Sequence, residues 1–365
     1  MSVQDLMRRD LRALAPYPPS PTIEELERKL GRRLVKLDSN ENPYGPSPRV
    51  HRALAECCVE RYPDADAKEL RCCLGSFLDV DPERIVCSVG GDEMLDLLLR
   101  LFLEPGDEVI DCTPSFSMYA LSTAYNRGTV VPVPRTGSFE VDVEGVERAI
   151  TDRTKVIFVC SPNNPTGNPT PESDVVRLLE TGRMVVLDEA YAEFAGRTLV
   201  KLVERYPNLV VMRTMSKWAA LAGLRLGYAV LDPAVVIELN KIRSPYNLGI
   251  APQVAGIASV EDRNYLMANV QLIVAERERL YHRLADLPFG RVYPSETNFL
   301  YWTTDGLPPA SLKEALLRRG VLIRALEDPV EALRLSVGTP EESDILMDAL
   351  EEAYAELRGG LAGVG

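Results

Sequence analysis

The chain has 365 residues, with 41 Lys and Arg against 54 Asp and Glu, and its formal net charge is −13. Domains usually contain roughly 100–150 residues, so this length allows two or three domains and excludes a small disulfide-held scaffold. The excess of acid argues against a nucleic-acid partner, and no apolar run approaches the roughly 20 residues of a membrane span. Residues 1–11 mix acidic and basic side chains without an apolar stretch, which predicts no secretory signal and a cytoplasmic protein.

The first 42 residues are predicted to form an arm that packs with the smaller domain. They contain a proline-rich turn, Pro16–Pro21, and one helix, Thr22–Leu30. Beyond the arm, the cysteine doublets Cys57-Cys58 and Cys72-Cys73 lack the spacing and the nearby histidines of a zinc site. We therefore expect reduced, mostly buried thiols and no metal.

Residues 43–250 are predicted to form a large α/β domain. Short apolar runs alternate with helical stretches such as Asp92–Leu103, and this alternation predicts a mostly parallel seven-stranded sheet covered by helices on both faces. The predicted strands are Ile85–Val89, Glu108–Cys112, Thr129–Val133, Lys155–Cys160, Met184–Asp188, Leu209–Arg213 and Leu226–Leu231.

Residues 251–365 are predicted to form a smaller α+β domain, because strands here are joined over only a few helices. A long helical segment, from about Pro252 to Leu287, leads into it. The predicted strands are Thr297–Trp302, Val321–Arg324 and Ala332–Val337, with helices at Ser311–Arg319 and Glu341–Leu357.

Three motifs place reactive side chains directly after predicted strands of the large domain. They contain Asn164 in Asn-Asn-Pro-Thr-Gly, Asp188 and Tyr191 in Asp-Glu-Ala-Tyr, and Lys217 in Thr-Met-Ser-Lys. Ligands of open α/β sheets bind beyond the carboxyl ends of the strands, so one pocket should collect these groups. Gly90-Gly91 precedes Asp92 at the start of a helix, where backbone N–H groups can face an anion.

In their order along the chain, these motifs resemble the fold-type I pyridoxal-phosphate aminotransferases, specifically the histidinol-phosphate aminotransferase branch. The resemblance extends from Arg12 to the C-terminal helix. Besides those already named, the motifs that carry it are Asp38-Ser-Asn-Glu-Asn-Pro-Tyr-Gly-Pro46, Arg61-Tyr-Pro63, Pro114-Ser-Phe116, Ser216-Lys-x5-Gly-Leu-Arg225, Ser244-Pro-Tyr-Asn247 and Leu333-Arg-Leu-Ser-Val-Gly338.

The resemblance assigns catalytic roles to Lys217, Asp188 and Tyr191. Lys217 would hold pyridoxal 5'-phosphate covalently and then move the proton between the substrate Cα and the cofactor, which requires a pKa below the usual value of about 10.4. Asp188 would keep the pyridine nitrogen protonated. Asn164 and Tyr191 would hydrogen-bond the ring oxygen, and Phe116, a position where many relatives carry tyrosine, would stack on the ring.

The same resemblance assigns the cofactor phosphate to a set of backbone and side-chain donors. Tyr62 would reach the phosphate of the neighbouring subunit, so that the active sites are shared within a homodimer. The remaining members of this set are Gly91, Asp92, Glu93, Thr214, Ser216 and Arg225.

Substrate binding is assigned by resemblance to two arginines and the arm. Arg334 and Arg324 would hold the substrate phosphate, and also glutamate when the amino donor occupies the site, because guanidinium groups bind such anions bidentately. Tyr17 of the arm and Asn42 of the first motif complete the predicted set.

The resemblance implies transamination between L-histidinol phosphate and imidazole acetol phosphate, with the glutamate/2-oxoglutarate pair, in histidine biosynthesis. A threonine-phosphate decarboxylase and an aromatic amino acid aminotransferase are alternatives on the same scaffold. A non-catalytic protein on this scaffold is a third alternative, since fold does not determine function. Retention of Lys217, Asp188, Asn164, Tyr191 and Arg225 together argues against it.

Overall fold

The computed structural model describes residues 2–12, 14–15, 21–326 and 331–362. Strands and helices alternate through most of this part of the chain, as the apolar runs predict. The strands are β1 Val35–Leu37, β2 Ile85–Val89, β3 Glu108–Thr113, β4 Thr129–Pro134, β5 Thr154–Cys160, β6 Met184–Asp188, β7 Leu209–Thr214, β8 Leu226–Val230, β9 Gly290–Tyr293, β10 Phe299–Thr304, β11 Val321–Leu326 and β12 Ala332–Ser336.

Helices connect most of these strands, and short 3-10 helices occur at Val3–Leu6, Pro82–Arg84, Val200–Glu204 and Ala222–Leu224. The α-helices are α1 Arg9–Arg12, α2 Ile23–Leu30, α3 Pro48–Glu56, α4 Lys68–Leu78, α5 Gly90–Phe102, α6 Met118–Tyr125, α7 Val143–Ala149, α8 Glu172–Leu179, α9 Ala192–Ala195, α10 Pro233–Ile242, α11 Ile250–Glu261, α12 Arg263–Ala285, α13 Pro309–Arg318 and α14 Pro340–Ala362.

The large sheet has seven strands in the order β2-β8-β7-β6-β5-β3-β4. All neighbours are parallel except β8, which runs antiparallel to both β2 and β7. Along β6, Val185 and Leu187 enter one apolar core while Val186 enters another, so both faces are covered. The mostly parallel seven-stranded sheet predicted from the apolar runs is confirmed, with most strand ends within a residue or two.

The small sheet has five strands in the order β1-β11-β12-β10-β9. Three of them were predicted, whereas β1 and β9 were missed because they are only 3 and 4 residues long and lack a clear alternation. β1 comes from the arm and pairs in parallel with β11, from Val35 opposite Val321 to Leu37 opposite Ile323. The arm is therefore joined to the small sheet by backbone hydrogen bonds.

The long helical segment divides at Asp262 into α11 and α12. Val260, Leu266 and Ile273 still belong to the core beneath the large sheet, whereas Leu280 and Leu284 belong to the core of the small sheet. The helical segment thus connects both cores. The division of the chain at residues 42 and 250 stays a prediction.

The seven cysteines are free thiols. Cys87, Cys112 and Cys160 are buried, but Cys58 and Cys72 are exposed, so the expectation of mostly buried thiols is wrong for one member of each doublet. Each doublet straddles the boundary between core and solvent. In the described part of the chain, none of the helices combines the length and the apolar character that crossing a membrane requires.

Candidate active site

A cavity of about 1040 Å³ opens at the carboxyl ends of β5, β6 and β7. Residues of both sheets line it, among them Asp188 and Thr214 from the large sheet and Arg324 and Arg334 from the small one. The cavity therefore lies at the edge where ligands of open α/β sheets usually bind.

Lys217 follows β7 and projects into this cavity. Its Nζ donates a hydrogen bond to the Ser39 carbonyl oxygen at 3.0 Å, which ties it to the segment after β1. Burial, followed by the positive charge of Arg334, lowers the pKa of Lys217 to about 8. A substantial fraction of the amine is therefore neutral near physiological pH and able to act as nucleophile or base.

Asp188 ends β6 and is buried on the cavity wall. Its carboxylate accepts hydrogen bonds from the Tyr119 hydroxyl at 2.7 Å and from the Ala190 N–H at 3.0 Å. Burial raises the pKa of Asp188, and the ion pairs formed by the described residues include no cation for it. A protonated ring nitrogen would supply that missing charge, so this buried acid fits the pyridine ring of pyridoxal phosphate.

Tyr191 and Asn164 lie on the same wall. The Tyr191 hydroxyl accepts a hydrogen bond from Asn40 Nδ2 at 3.0 Å, and burial raises the Tyr191 pKa, so this group is a neutral hydrogen-bond donor. Asn164 Oδ1 accepts a hydrogen bond from Arg334 at 2.9 Å, which leaves its amide N–H₂ for a ligand. Tyr191 and Asn164 thus offer two neutral hydrogen-bond donors on the cavity wall.

An anion cradle forms where α5 begins beside β8. Gly90 has φ +72° and a Cβ there would lie 2.6 Å from Arg225 Nη2, while a Cβ on Gly227 would lie 2.6 Å from the Gly90 carbonyl carbon. Only glycine permits this approach, which brings the N-terminal amides of α5 next to a guanidinium. Arg225 also pairs with Asp92 at 2.9 Å. The described donors fit a phosphate group.

Thr214 and Ser216 extend this cradle from the end of β7, and both line the cavity. The Thr214 hydroxyl donates to Ser216 Oγ at 3.0 Å and accepts from the Ser216 N–H at 3.1 Å. This turn holds the two hydroxyls close to each other. It adds neutral donors to the charge of Arg225.

Phe116 lines the cavity and packs edge-on against Tyr119, with ring centroids 5.6 Å apart. The loop that carries it is held by Ser115, whose hydroxyl donates to Asp111 Oδ1 at 2.5 Å. Burial raises the pKa of Asp111 to about 6. Phe116 thus places an aromatic ring on the cavity wall.

Arg324 and Arg334 lie directly opposite each other on the antiparallel strands β11 and β12, so both side chains project from the same face of the small sheet. Both line the cavity. Arg334 is oriented by Asn164 and by the Asp38 carbonyl oxygen, to which its Nη2 donates at 2.7 Å. Two guanidinium groups on one wall make a strong site for a substrate anion.

Other predicted site residues lie apart from the cavity. The Asn42 amide is occupied by the Trp218 carbonyl and the Tyr44 N–H, and Glu93 accepts from the Val89 N–H and Asn247, so both residues brace loops. Tyr62 is 83% exposed and stacks on Tyr246, with ring centroids 4.7 Å apart. Tyr17 lies outside the described residues.

Sequence reasoning missed Tyr119 and Asn40 as members of the site. Tyr119 lies only three residues after Phe116, and this closeness in sequence was the available signal. Asn40 was read only as part of a motif, yet its φ of 54° and its bond to Tyr191 bring the arm into the site. The geometry as a whole is that of a pyridoxal-phosphate-dependent transferase of fold type I.

Comparison with known families agrees with this geometry. The family model of the class I and II aminotransferases matches residues 32–350. The chain therefore belongs to the class I and II aminotransferases, and pyridoxal phosphate is its cofactor.

Within this family, the chain is similar to proteins named histidinol-phosphate aminotransferase. The chain is 47% identical to the histidinol-phosphate aminotransferase of Roseiflexus castenholzii over 368 residues, which covers 96% of this chain and 99% of that protein. It is 42% identical to that of Dehalococcoides mccartyi over 349 residues, 95% of this chain and 97% of the other. The crystal structure of the Sinorhizobium meliloti histidinol-phosphate aminotransferase with pyridoxal-5'-phosphate has a TM-score of 0.88 at 28% identity and covers 96% of this chain and 98% of the other.

Proposed function

We propose that this chain is a histidinol-phosphate aminotransferase, which exchanges an amino group between L-histidinol phosphate and 2-oxoglutarate through one alternating site. The observation that carries the proposal is the pair Arg324 and Arg334, which face the cavity side by side. Two guanidinium groups suit a phosphate dianion, and the near-full-length relatives share this activity by name.

Each catalytic side chain has one task in this reaction. Pyridoxal phosphate, when bound, takes up the amino group and delocalises the negative charge that develops at the substrate Cα. Lys217, with its lowered pKa, removes the Cα proton and returns it one carbon away. Asp188 would keep a proton on the ring nitrogen, while Tyr191 and Asn164 would hydrogen-bond the ring oxygen.

Two separate groups of residues would bind the cofactor phosphate and the substrate anion, and together they would orient the substrate. The α5 N-terminus, Thr214, Ser216 and Arg225 would hold the cofactor phosphate, and Phe116 would cover the ring face. Arg324 and Arg334 would hold the substrate anion at the opposite end, and Tyr17 is proposed to join them. This separation directs the substrate amine toward Lys217.

The proposal includes a cytoplasmic homodimer with shared active sites. Tyr62 supports it, because an aromatic side chain that is 83% exposed and stacked on Tyr246 is available to a second subunit. In the dimer Tyr62 would donate its hydroxyl to the partner's cofactor phosphate.

Visible absorbance of the purified, cofactor-loaded protein tests the reaction. L-histidinol phosphate added without a keto acid should abolish the band of the lysine-bound cofactor, and 2-oxoglutarate should then restore it. A band that does not change with histidinol phosphate would contradict the proposal. Release of carbon dioxide from threonine phosphate would instead assign the chain to the decarboxylases.

A further inference from the structure

The proposed reaction poses a problem of recognition, on which this inference rests. One cavity must accept the imidazole ring of histidinol phosphate and, in the other half-reaction, the second carboxylate of glutamate. An imidazole N–H needs a hydrogen-bond acceptor, whereas a carboxylate needs a cation, and a single rigid side chain cannot supply both.

An ion pair at the edge of the cavity offers both groups. Lys36 Nζ lies 2.7 Å from Glu41 Oε2 and 2.9 Å from Asp38 Oδ1. Asp38 is buried and Lys36 is mostly buried, but the Glu41 side chain is 47% exposed and lines the cavity. Water can solvate the exposed Glu41 carboxylate, and Lys36 keeps Asp38 as a partner, so Glu41 can rotate away at small cost.

The residues between Lys36 and Glu41 contact both the reacting amine and Arg334. The negative charge of Glu41 raises the pKa of Lys217 while the charge of Lys36 lowers it, so both groups act on the reacting amine. The main chain between them also contacts the site, since the Asp38 carbonyl accepts from Arg334 and the Ser39 carbonyl accepts from Lys217. Lys36 and Glu41 therefore flank the short segment that contacts both Arg334 and the reacting amine.

We propose that Lys36 and Glu41 form a switchable recognition pair: Glu41 accepts a hydrogen bond from the imidazole ring, and Lys36 binds the second carboxylate of glutamate once Glu41 turns outward. Asp38 keeps Lys36 in place in both states. Arg324 and Arg334 hold the phosphate of histidinol phosphate or the α-carboxylate of glutamate. Lys36 and Glu41 therefore determine only which group the opposite end of the substrate carries, an imidazole ring or a second carboxylate.

The first test uses ligands that differ only at that far end. L-norvaline has the five-carbon chain of glutamate with a methyl group in place of the second carboxylate, and glutarate and pentanoate are related in the same way. Lys36→Gln should reduce the preference for glutamate over norvaline in the half-reaction about tenfold, and calorimetry should show the same loss for glutarate over pentanoate. Lys36→Arg should restore much of it.

A purely structural role for Lys36 predicts a different result. Disturbance of Asp38 or Arg334 would weaken both members of each ligand pair equally and leave the ratios unchanged, which would overturn the assignment. Lys29→Gln is the matched control, because Lys29 forms an exposed ion pair with Glu25 at 2.8 Å on α2. It should change neither ratio.

Glu41→Leu tests the imidazole half of the proposal, because leucine removes the hydrogen-bond acceptor that glutamine would keep. The substitution should lower the single-turnover rate with subsaturating histidinol phosphate about tenfold, while glutamate reacts as fast or faster because Lys36 is released. Equal slowing of both substrates would refute the role of Glu41. If the wild-type protein reacts with glutamate but not with histidinol phosphate, the proposed function and the role of Glu41 both fail, while the glutamate/norvaline ratio still decides the role of Lys36.

Discussion

At the scale of single residues, burial sets the chemistry of the site. The pKa of Lys217 is lowered, which favours the neutral amine, and the pKa of Asp188 is raised, which favours the neutral acid. Desolvation is the first cause in each case, because the cavity wall removes water from the charged form. A bound cofactor with a protonated ring nitrogen would reverse the effect at Asp188 by providing an opposite charge.

The lowered pKa of Lys217 predicts how the apoprotein takes up its cofactor. Only the neutral amine attacks an aldehyde, so the rate of covalent attachment should rise about tenfold per pH unit below about 8 and level off above it. Stopped-flow absorbance between pH 6 and 10 measures this profile, with Lys217→Ala as the control that forms no attachment band. A rate that levels off only near pH 10.5 would contradict the structure.

Tyr119 should affect catalysis although sequence reasoning missed it. Tyr119→Phe removes the hydroxyl that donates to Asp188, leaving the buried carboxylate with the Ala190 N–H alone. We expect a loss of about 1–3 kcal/mol in the free energy of unfolding and a fall in kcat of about tenfold, measured by denaturant titration and steady-state kinetics.

Tyr125→Phe is the matched control for that change, since Tyr125 lies on the same helix and is 36% exposed. It should leave both quantities within experimental error. If the two variants behave alike, the bond between Tyr119 and Asp188 does not support the site.

At the scale of elements, close packing of β8 against the start of α5 creates the anion cradle. The strand can approach only because Gly227 faces the backbone of Gly90 and Gly91. Thr214, at the end of β7, lies beside the cradle because β7 pairs with β8 in the same sheet. A pair of elements, rather than any one residue, therefore shapes the phosphate site.

Gly227→Ala tests this packing. The added Cβ would lie 2.6–2.8 Å from three backbone atoms of Gly90 and Gly91, so β8 and α5 must separate. Overpacking of this kind costs about 1–3 kcal/mol, and displacement of the amides should weaken cofactor binding at least tenfold. Spectrophotometric titration with pyridoxal phosphate gives the affinity. Gly137→Ala, where the new methyl group meets no atom within 4 Å, should bind normally.

At the scale of the whole molecule, the site is assembled from three parts of the fold. The large sheet contributes Asp188 and Lys217, the small sheet contributes the two arginines, and the segment after β1 contributes Asn40 and Ser39. Arg334 bonds Asn164 across the cavity, so the two sheets meet at the substrate position. The proposed dimer adds Tyr62 from a second copy.

Mixed dimers test whether sites are shared. Lys217→Ala alone should lower activity at least a thousandfold, and Tyr62→Ala should weaken cofactor binding. If Tyr62 serves its partner's site, a heterodimer of the two variants has one site with both changes and one with neither. Activity at limiting cofactor should therefore reappear in the purified heterodimer. Heterodimers that bind no better than Tyr62→Ala would contradict shared sites.

The sequence by itself determined the elements and the local motifs. Apolar runs such as Val185–Leu187 report burial directly, and glycine pairs and Asp-Glu-Ala-Tyr lie wholly within one short segment. These features depend on neighbours a few residues apart, which is why the large sheet could be predicted, together with the motifs whose family resemblance points to Asp188, Lys217 and other residues of the cavity wall.

Only the tertiary structure decided which side chains meet across the chain. Nothing in the local pattern joins Tyr119 to Asp188, Arg334 to Asn164, or β1 to a strand almost 290 residues away. It also separated Asn42, whose amide braces the backbone, from Asn40 two residues earlier, which bonds Tyr191. Such contacts depend on how the elements pack in three dimensions. The spacing of two residues along the chain does not indicate how close they lie in the folded structure.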